Sequence, residues 1–282
     1  MLKIALPNKG ALSEEAALLM GEAGYECRRY RRELSVLDKE HELEFVFLRP
    51  RDIAVYVSRG ILDMGITGRD LAREACVDLH EVLPLGFGRS RFFYAVPENS
   101  ELTPETFNGL RIATSFPNLL RQNLNARKID AEIITLDGAV EISVSLGVAD
   151  AVADVVETGR TLSQAGLKVV GSPLLESEAV VVARDDINSL SPQLRICIER
   201  LKGIVVARDY VMIEYDAPKI LLEKVCAITP GIEAPTIAPL SKTEWVAVKA
   251  MVKRKEANEI MDRLSAVGAR GIVVMDIRAC RL

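Results

Sequence analysis

At 282 residues the chain exceeds the commonest single-domain size, so two or three compact units are expected. Apolar residues make up 49% and charged residues 27%, an ordinary globular balance with ample material for a core. A formal net charge of -4 excludes the overall basic field that holds nucleic acid, and no apolar run approaches bilayer length.

Short apolar runs alternate with helical patterns from the start, the signal of α/β architecture with largely parallel sheets. Leu2–Leu6 reads as a strand that runs straight into polar Asn8-Lys9-Gly10, without the charged and apolar regions of a leader. A cytoplasmic protein without membrane contact is expected. A helix over Ser13–Ala23 follows, then a strand over Glu44–Leu48, a helix over Pro50–Ser58 and a buried strand over Met64–Ile66. Phe92–Val96 is a strand ended by Pro97, and Arg111–Thr114, Glu132–Thr135 and Ala149–Val156 continue the series. Helices are predicted between them at Pro117–Ala126 and Ala139–Leu146, and a short one at Thr161–Ala165. Val169–Val170 and Ala179–Ala183 read as strands that lead back out of this unit, and Pro192–Arg208 as a long amphipathic helix.

The last seventy residues or so change character. Tyr210–Tyr215, Thr236–Pro239, Trp245–Val252 and Ile272–Asp276 read as strands, with helices over Pro218–Val225 and Glu256–Val267. That β-α-β-β-α-β order is the ferredoxin-like arrangement, with Trp245 expected in its core.

Cys27, Cys76, Cys197, Cys226 and Cys280 are scattered, odd in number and never spaced Cys-x-x-Cys, which argues against a disulfide framework and a zinc site. The two histidines, His41 in a charged stretch and His80 in a polar connection, are expected on the surface. Chemistry built on a Ser-His or Cys-His pair is therefore not expected. The basic cluster Arg28-Arg29-Tyr30-Arg31-Arg32 reads as a solvated edge, since the rest of the chain gives it no basic support.

The most informative stretch is Ala149–Thr161. A buried strand carries Asp150 and Asp154, then delivers the chain through Glu157 into the turn Thr158-Gly159-Arg160-Thr161 at a helix start. Gly159 lets backbone approach an anion, and the threonine hydroxyls and Arg160 add donors and charge. An anion site preceded by carboxylates suits a phosphorylated sugar, although a Thr/Gly turn also caps ordinary helices. In the first half, Pro7-Asn8-Lys9-Gly10, Leu48-Arg49-Pro50-Arg51-Asp52 and Gly65-Ile66-Thr67-Gly68-Arg69-Asp70 each follow a strand and place cations where phosphates are clamped. Capping by Asp52 and Asp70 beside solvated arginines explains the same residues as well.

Together these segments, with Leu136-Asp137-Gly138-Ala139-Val140-Glu141-Ile142 and Thr229-Pro230-Gly231-Ile232-Glu233-Ala234-Pro235-Thr236, resemble the long form of the ATP phosphoribosyltransferases from end to end. The resemblance implies two catalytic lobes like type II periplasmic binding proteins, lobe I at 1–90 with 184–209 and lobe II at 91–183. It implies a ferredoxin-like regulatory domain over 210–282. The implied reaction joins N1 of the adenine of ATP to C1 of phosphoribosyl pyrophosphate and releases pyrophosphate, as the first step of histidine biosynthesis. Magnesium is expected on the pyrophosphate, without assignable protein ligands.

By the same resemblance Glu157, Thr158, Gly159, Arg160 and Thr161 cradle the 5′-phosphate, with Asp154 near the ribose and Glu141 projecting into the cleft as the catalytic pair. Lys9, Gly10, Arg49 and Asp70 line the ATP side. Histidine is expected to inhibit through Asp216 and Thr236, and homodimers and hexamers are expected. Without the resemblance, Asp216 reads as a helix N-cap and Thr236 as a strand-start hydroxyl. A rival from another class is a non-catalytic small-molecule receptor, which should carry a leader or a basic helix-turn-helix; neither is visible.

Overall fold

Ile4, Ala5, Leu6 and Pro7 are buried one after another, the pattern of a strand covered on both faces. The computed structural model describes residues 1–29, 33–156 and 159–281, and two compact units divide the chain at Arg195 and Ile196.

The first unit begins β1 (Leu2–Pro7), α1 (Ala11–Glu22), β2 (Ser35–Asp38), β3 (Leu43–Leu48), α2 (Pro50–Ser58), β4 (Met64–Gly68), α3 (Arg69–Glu74) and β5 (His80–Pro84). After Gly88 the chain crosses to a second sheet with β6 (Ser90–Pro97), β7 (Arg111–Thr114), α4 (Pro117–Arg127), β8 (Glu132–Thr135), β9 (Ala151–Val156), α5 (Arg160–Gln164) and β10 (Leu167–Ser177). It returns with β11 (Ala179–Ala183). The first sheet runs β2-β3-β1-β4-β11-β5 and the second β10-β6-β9-β7-β8. Pairs β1–β3, β1–β4, β7–β8 and β7–β9 are parallel, so their carboxyl ends line up along one edge of each sheet. This is the two-lobed α/β architecture that was expected, with one boundary moved. Ala179–Ala183, expected with lobe II, pairs antiparallel with β4 and β5 of the first sheet, and the single residue Glu178 separates it from β10.

Other expectations are corrected by tertiary packing. β2, α3 and β5 were not foreseen, being short and polar outside their contacts. The helix expected over Ala139–Leu146 is a 3-10 turn at Val140–Ile142 entered through left-handed Ala139 (φ 49°). The Ser143 hydroxyl donates to the Val140 carbonyl, and β-branched Val140, Ile142 and Val144 add no helix propensity. Val169–Val170 is part of an eleven-residue strand whose register shifts between Val170 and Leu175. His41 is not solvated: its Nδ1 lies 2.8 Å from Oδ2 of buried Asp38, and its ring meets Tyr25 edge-on at 4.8 Å. His80 is exposed at the start of β5, as a surface residue should be.

The long helix α6 (Pro192–Asp209) contains the division between units, fourteen positions before the expected domain boundary. Most of it is built into the second unit. Gly203 accepts from the Cys280 amide at 2.9 Å, and a Cβ there would meet the Cys280 carbonyl oxygen at 2.9 Å. At the helix end Arg254 donates to the carbonyls of Arg208 (2.8 Å) and Tyr210 (3.2 Å).

β12 (Tyr210–Pro218), α7 (Leu222–Ile228), β13 (Thr236–Pro239), β14 (Trp245–Lys253), α8 (Ala257–Ala266) and β15 (Arg270–Asp276) follow. Their antiparallel sheet runs β13-β14-β12-β15, the order of a ferredoxin-like βαββαβ unit. Burial alternates along β12 and β14, and Ile213, Tyr215 and Val248 pack with Val225 of α7 and Leu264 of α8. The helix expected from Pro218 starts at Leu222, because β12 runs on through Pro218. Trp245 is not in the core; it lies half-exposed between Lys242 (5.0 Å) and Arg270 (5.7 Å).

Close packing of α2 on the first sheet depends on Gly65 of β4, where a Cβ would collide with Ile53 of α2 and come within 3.1 Å of Ala5. Gly65→Ala should lower stability by about 1–3 kcal/mol through overpacking. In urea, followed by far-ultraviolet circular dichroism, its midpoint should fall with the slope unchanged.

Candidate active site

The three cation-bearing turns of the first half meet at one sheet edge. Pro7 is opposite Leu48 in the β1–β3 ladder, and the Asn8 amide donates to the Leu48 carbonyl at 2.8 Å. Lys9 and Gly10 therefore sit beside Arg49, the residue that opens α2. Gly10 takes φ 74° at the start of α1, a conformation that favours glycine. Lys9 and Arg49 are exposed. Asp70, on the next strand's exit, is buried instead. Its Oδ1 accepts from the Ser177 hydroxyl (2.9 Å) and the Leu71 amide (2.9 Å), and its own amide donates to Ser177 Oγ (3.0 Å).

The facing edge belongs to the second sheet. Asp154 lies on β9 opposite Phe93, one residue beyond the Thr114–Ala153 pair, and Glu141 lies in the Val140–Ile142 turn after β8. Gly159, at φ 74°, leads into α5 with Arg160 and Thr161 exposed. Glu157 and Thr158 of the same turn lie outside the described residues.

Direct contacts bring the two edges together. The Arg51 Nη1 donates to the Ser115 carbonyl at 2.9 Å, and its guanidinium lies 4.7 Å from the Phe116 ring centre. The buried Glu74 carboxylate of α3 accepts from the amides of Asn118 (3.1 Å) and Leu119 (3.0 Å) at the start of α4. Asp70 and Ser177 form the third link. A cavity of about 420 Å³ beside the crossings is lined by Arg69, Arg89, Arg91, Val156 and Ser177 among others. It reaches from Asp70's partner to the residue just before the Glu157–Thr161 turn.

Arg69 is not a free phosphate clamp. It is forked onto Glu81 (2.6 and 2.9 Å), bonded to Glu178 at 3.2 Å and donated to the Glu176 carbonyl. These hydrogen bonds hold it firmly charged despite partial burial. Nor is the whole basic cluster a solvated edge. Arg29 lies over Phe47 at 5.2 Å and donates to the Asn8 carbonyl at 3.2 Å, bracing the Lys9–Gly10 turn. Tyr30, Arg31 and Arg32 lie outside the described residues.

The electrostatics single out Asp154. Burial, the largest cause, lifts its carboxyl above the ordinary carboxylate range. The Val155 amide, donated at 2.8 Å, opposes this, the Glu141 charge adds to it, and the Arg51 charge opposes it. A half-buried carboxyl beside a second one, at the carboxyl edge of an α/β sheet, is a site for a polar or cationic centre. Arg51, expected as a phosphate clamp, is instead bonded to the Ser115 carbonyl and stacked on Phe116; Glu74, Arg89, Arg91 and Ser177 were not singled out from sequence. Their roles depend on which strand ends face each other, and no local pattern encodes that.

In the second unit Asp216 is not a helix cap. It lies on β12 opposite Ala247 and Arg270, with its carboxylate 3.6 Å from where a Cβ on Gly271 would stand. Thr236 opens β13 opposite Lys249, on the same open face. The strand β14 lies between them, which puts them roughly 10 Å apart across the sheet. One copy of the chain does not bring the two side chains into mutual contact.

The ATP phosphoribosyltransferase family profile matches residues 49–203, and the profile described as HisG, C-terminal domain, matches residues 207–279. The ATP phosphoribosyltransferase of Salinibacter ruber is 56% identical over 283 residues, covering all of both chains. That of Corynebacterium glutamicum is 52% identical over 282 residues, again covering all of both. Among solved structures, a chain of an ATP phosphoribosyl transferase complex from Thermotoga maritima superposes with a TM-score of 0.63 at 27% identity. It matches 73% of this chain and 99% of that one. The facing strand ends, the acid pair and the full-length identity agree: the chain belongs to the ATP phosphoribosyltransferase family, in the form that carries the additional C-terminal domain.

Proposed function

We propose that this transferase, which serves the first step of histidine biosynthesis, joins N1 of the adenine of ATP to C1 of phosphoribosyl pyrophosphate and releases pyrophosphate. We also propose that histidine inhibits it through the C-terminal unit. The observation that carries the reading is Asp154: a half-buried carboxyl beside Glu141, at the head of the Gly159-Arg160-Thr161 turn and facing the Lys9, Arg49 and Asp70 edge.

The chemistry needs no histidine. Adenine N1 already offers a lone pair, His41 is engaged by Asp38, and neither histidine lies on the facing strand ends. As the C1–oxygen bond loosens, positive charge grows on the ribose, and Asp154 and Glu141 supply fixed negative charge beside it. In the ground state the Asp154 carboxylate accepts from ribose hydroxyls. The turn at Gly159–Thr161, with Glu157 and Thr158, holds the 5′-phosphate, and Lys9, Gly10, Arg49 and Asp70 hold and orient ATP.

Among the described residues no cluster of three or more His, Cys, Asp or Glu is built to hold a metal ion. Magnesium is proposed to accompany the pyrophosphate with few protein ligands, where it would neutralise the leaving group. No helix is long and apolar enough to cross a membrane. We further propose a cytoplasmic homo-oligomer, dimeric or hexameric, in which neighbouring copies complete the histidine site around Asp216 and Thr236.

With both substrates, magnesium and a pyrophosphatase, the ultraviolet absorbance change of N1-alkylated adenine should appear and should fade with added histidine. Absence of any signal from folded protein overturns the transferase chemistry; a signal indifferent to histidine overturns only the sensor. Asp154→Asn should cost about 10²–10³-fold in turnover. Because the folded pKa of Asp154 is raised, its stability contribution is complete below the unfolded pKa and is lost as pH rises through the folded one. The amide escapes that loss, so near neutral pH the variant should melt no lower than the parent by calorimetry. Asp216→Ala should raise the histidine concentration for half-inhibition about tenfold or more, the effect of one lost charged hydrogen bond.

A further inference from the structure

Arg51 belongs to the first sheet's edge yet spends its side chain on the second. From the first turn of α2 it donates to the Ser115 carbonyl and covers the Phe116 ring, the two residues that continue β7 beyond Thr114. Thr114 is the partner of Ala153, so this junction runs beside Asp154. Phe116 is itself fixed: it is buried, its amide donates to the Thr114 hydroxyl oxygen at 2.9 Å, and its ring packs on Phe92 at 5.5 Å. The guanidinium is thus held on a rigid platform by one directional bond and one stacked face.

We propose that Arg51 is a positioning residue of the transfer site: it pins the β7–α4 junction across the cleft and supplies the fixed positive charge that faces the Asp154 carboxylate. The groups around Asp154 support this. β6 presents the uncharged Phe93, with Arg91 stacked on its ring at 5.2 Å, and β7 presents Thr114. The Val140–Ile142 turn presents the like charge of Glu141, and α2 presents Arg51. Burial and Glu141 both disfavour the ionised form that the ribose requires; Arg51 is the cation that opposes them.

This inference rests on the transferase reading, and its test separates the two. The pH dependence of kcat/KM for phosphoribosyl pyrophosphate is measured for the parent, R51Q, R51M and R51K, with melting temperatures as a check on folding. R51Q and R51M remove the charge, so the acid limb should move to higher pH, and their rates relative to the parent should fall several-fold from the plateau to the acid side. R51K keeps the charge and loses the planar guanidinium that reaches both Ser115 and Phe116, so its limb should stay near the parent's while kcat/KM drops across the range. Limbs that coincide in all four proteins reduce Arg51 to a packing residue and overturn the proposal. An inactive parent overturns the transferase reading and takes this inference with it, whereas an active parent with unmoved limbs overturns this inference alone.

Discussion

The Arg69 guanidinium, forked onto Glu81 and bonded to Glu178, ties together the strand exits at which the chain passes between its two sheets. Glu178 is the single residue between β10 and β11, and its second oxygen accepts from the Gly86 amide on the other crossing. One cation thereby links β4, β5 and both crossings. The exposed Glu81 and the part-buried Glu178 converge on this guanidinium, which offsets the repulsion between them. That junction fixes the two crossings, and the Arg51, Glu74 and Asp70 contacts then hold the strand ends of the two sheets against each other.

Given facing strand ends, the electrostatics of the cleft are asymmetric. The first edge brings exposed cations, Lys9 and Arg49, suited to polyphosphate. The second brings carboxylates in partial burial, Asp154 and Glu141, suited to a sugar that becomes positive as its leaving group departs. Keeping Asp154 ionised in such surroundings works against folding, a common feature of sites shaped for a transition state. Arg51 and the Val155 amide offset part of that cost from opposite sheets.

The C-terminal unit is organised by different physics. Tyr215 donates or accepts at Thr229 (2.6 Å) inside a core closed by α7 and α8 on one sheet face. The other face carries Met212, Asp216, Met251 and Met275 and is only partly buried, the kind of surface on which a small polar ligand or a second copy docks. Gly203 and Arg254 weld α6 to this unit, so the helix expected to belong with the first lobe is held by the second unit's tail and strand ends.

Much of this was legible in the chain itself. β7, β8, β11, β13 and α2 fall where the apolar runs and Pro50 put them, since those signals are local. So were the turns bearing Lys9, Arg49 and Asp70 and the acid strand leading to Gly159, because strand-then-glycine punctuation needs no partner to be read. The sequence by itself determined the α/β class, the βαββαβ tail and the segments that carry chemistry. Only the tertiary structure decided that Ala179–Ala183 pairs with the first sheet, that Arg69 is consumed internally, that Asp70 is braced by Ser177, that Trp245 lies outside the core and that Arg51 faces Asp154. Each of those depends on contacts between residues a dozen to more than a hundred positions apart. The energy of such a contact comes from the strand and burial it meets, and neither is written in the residues adjacent to it.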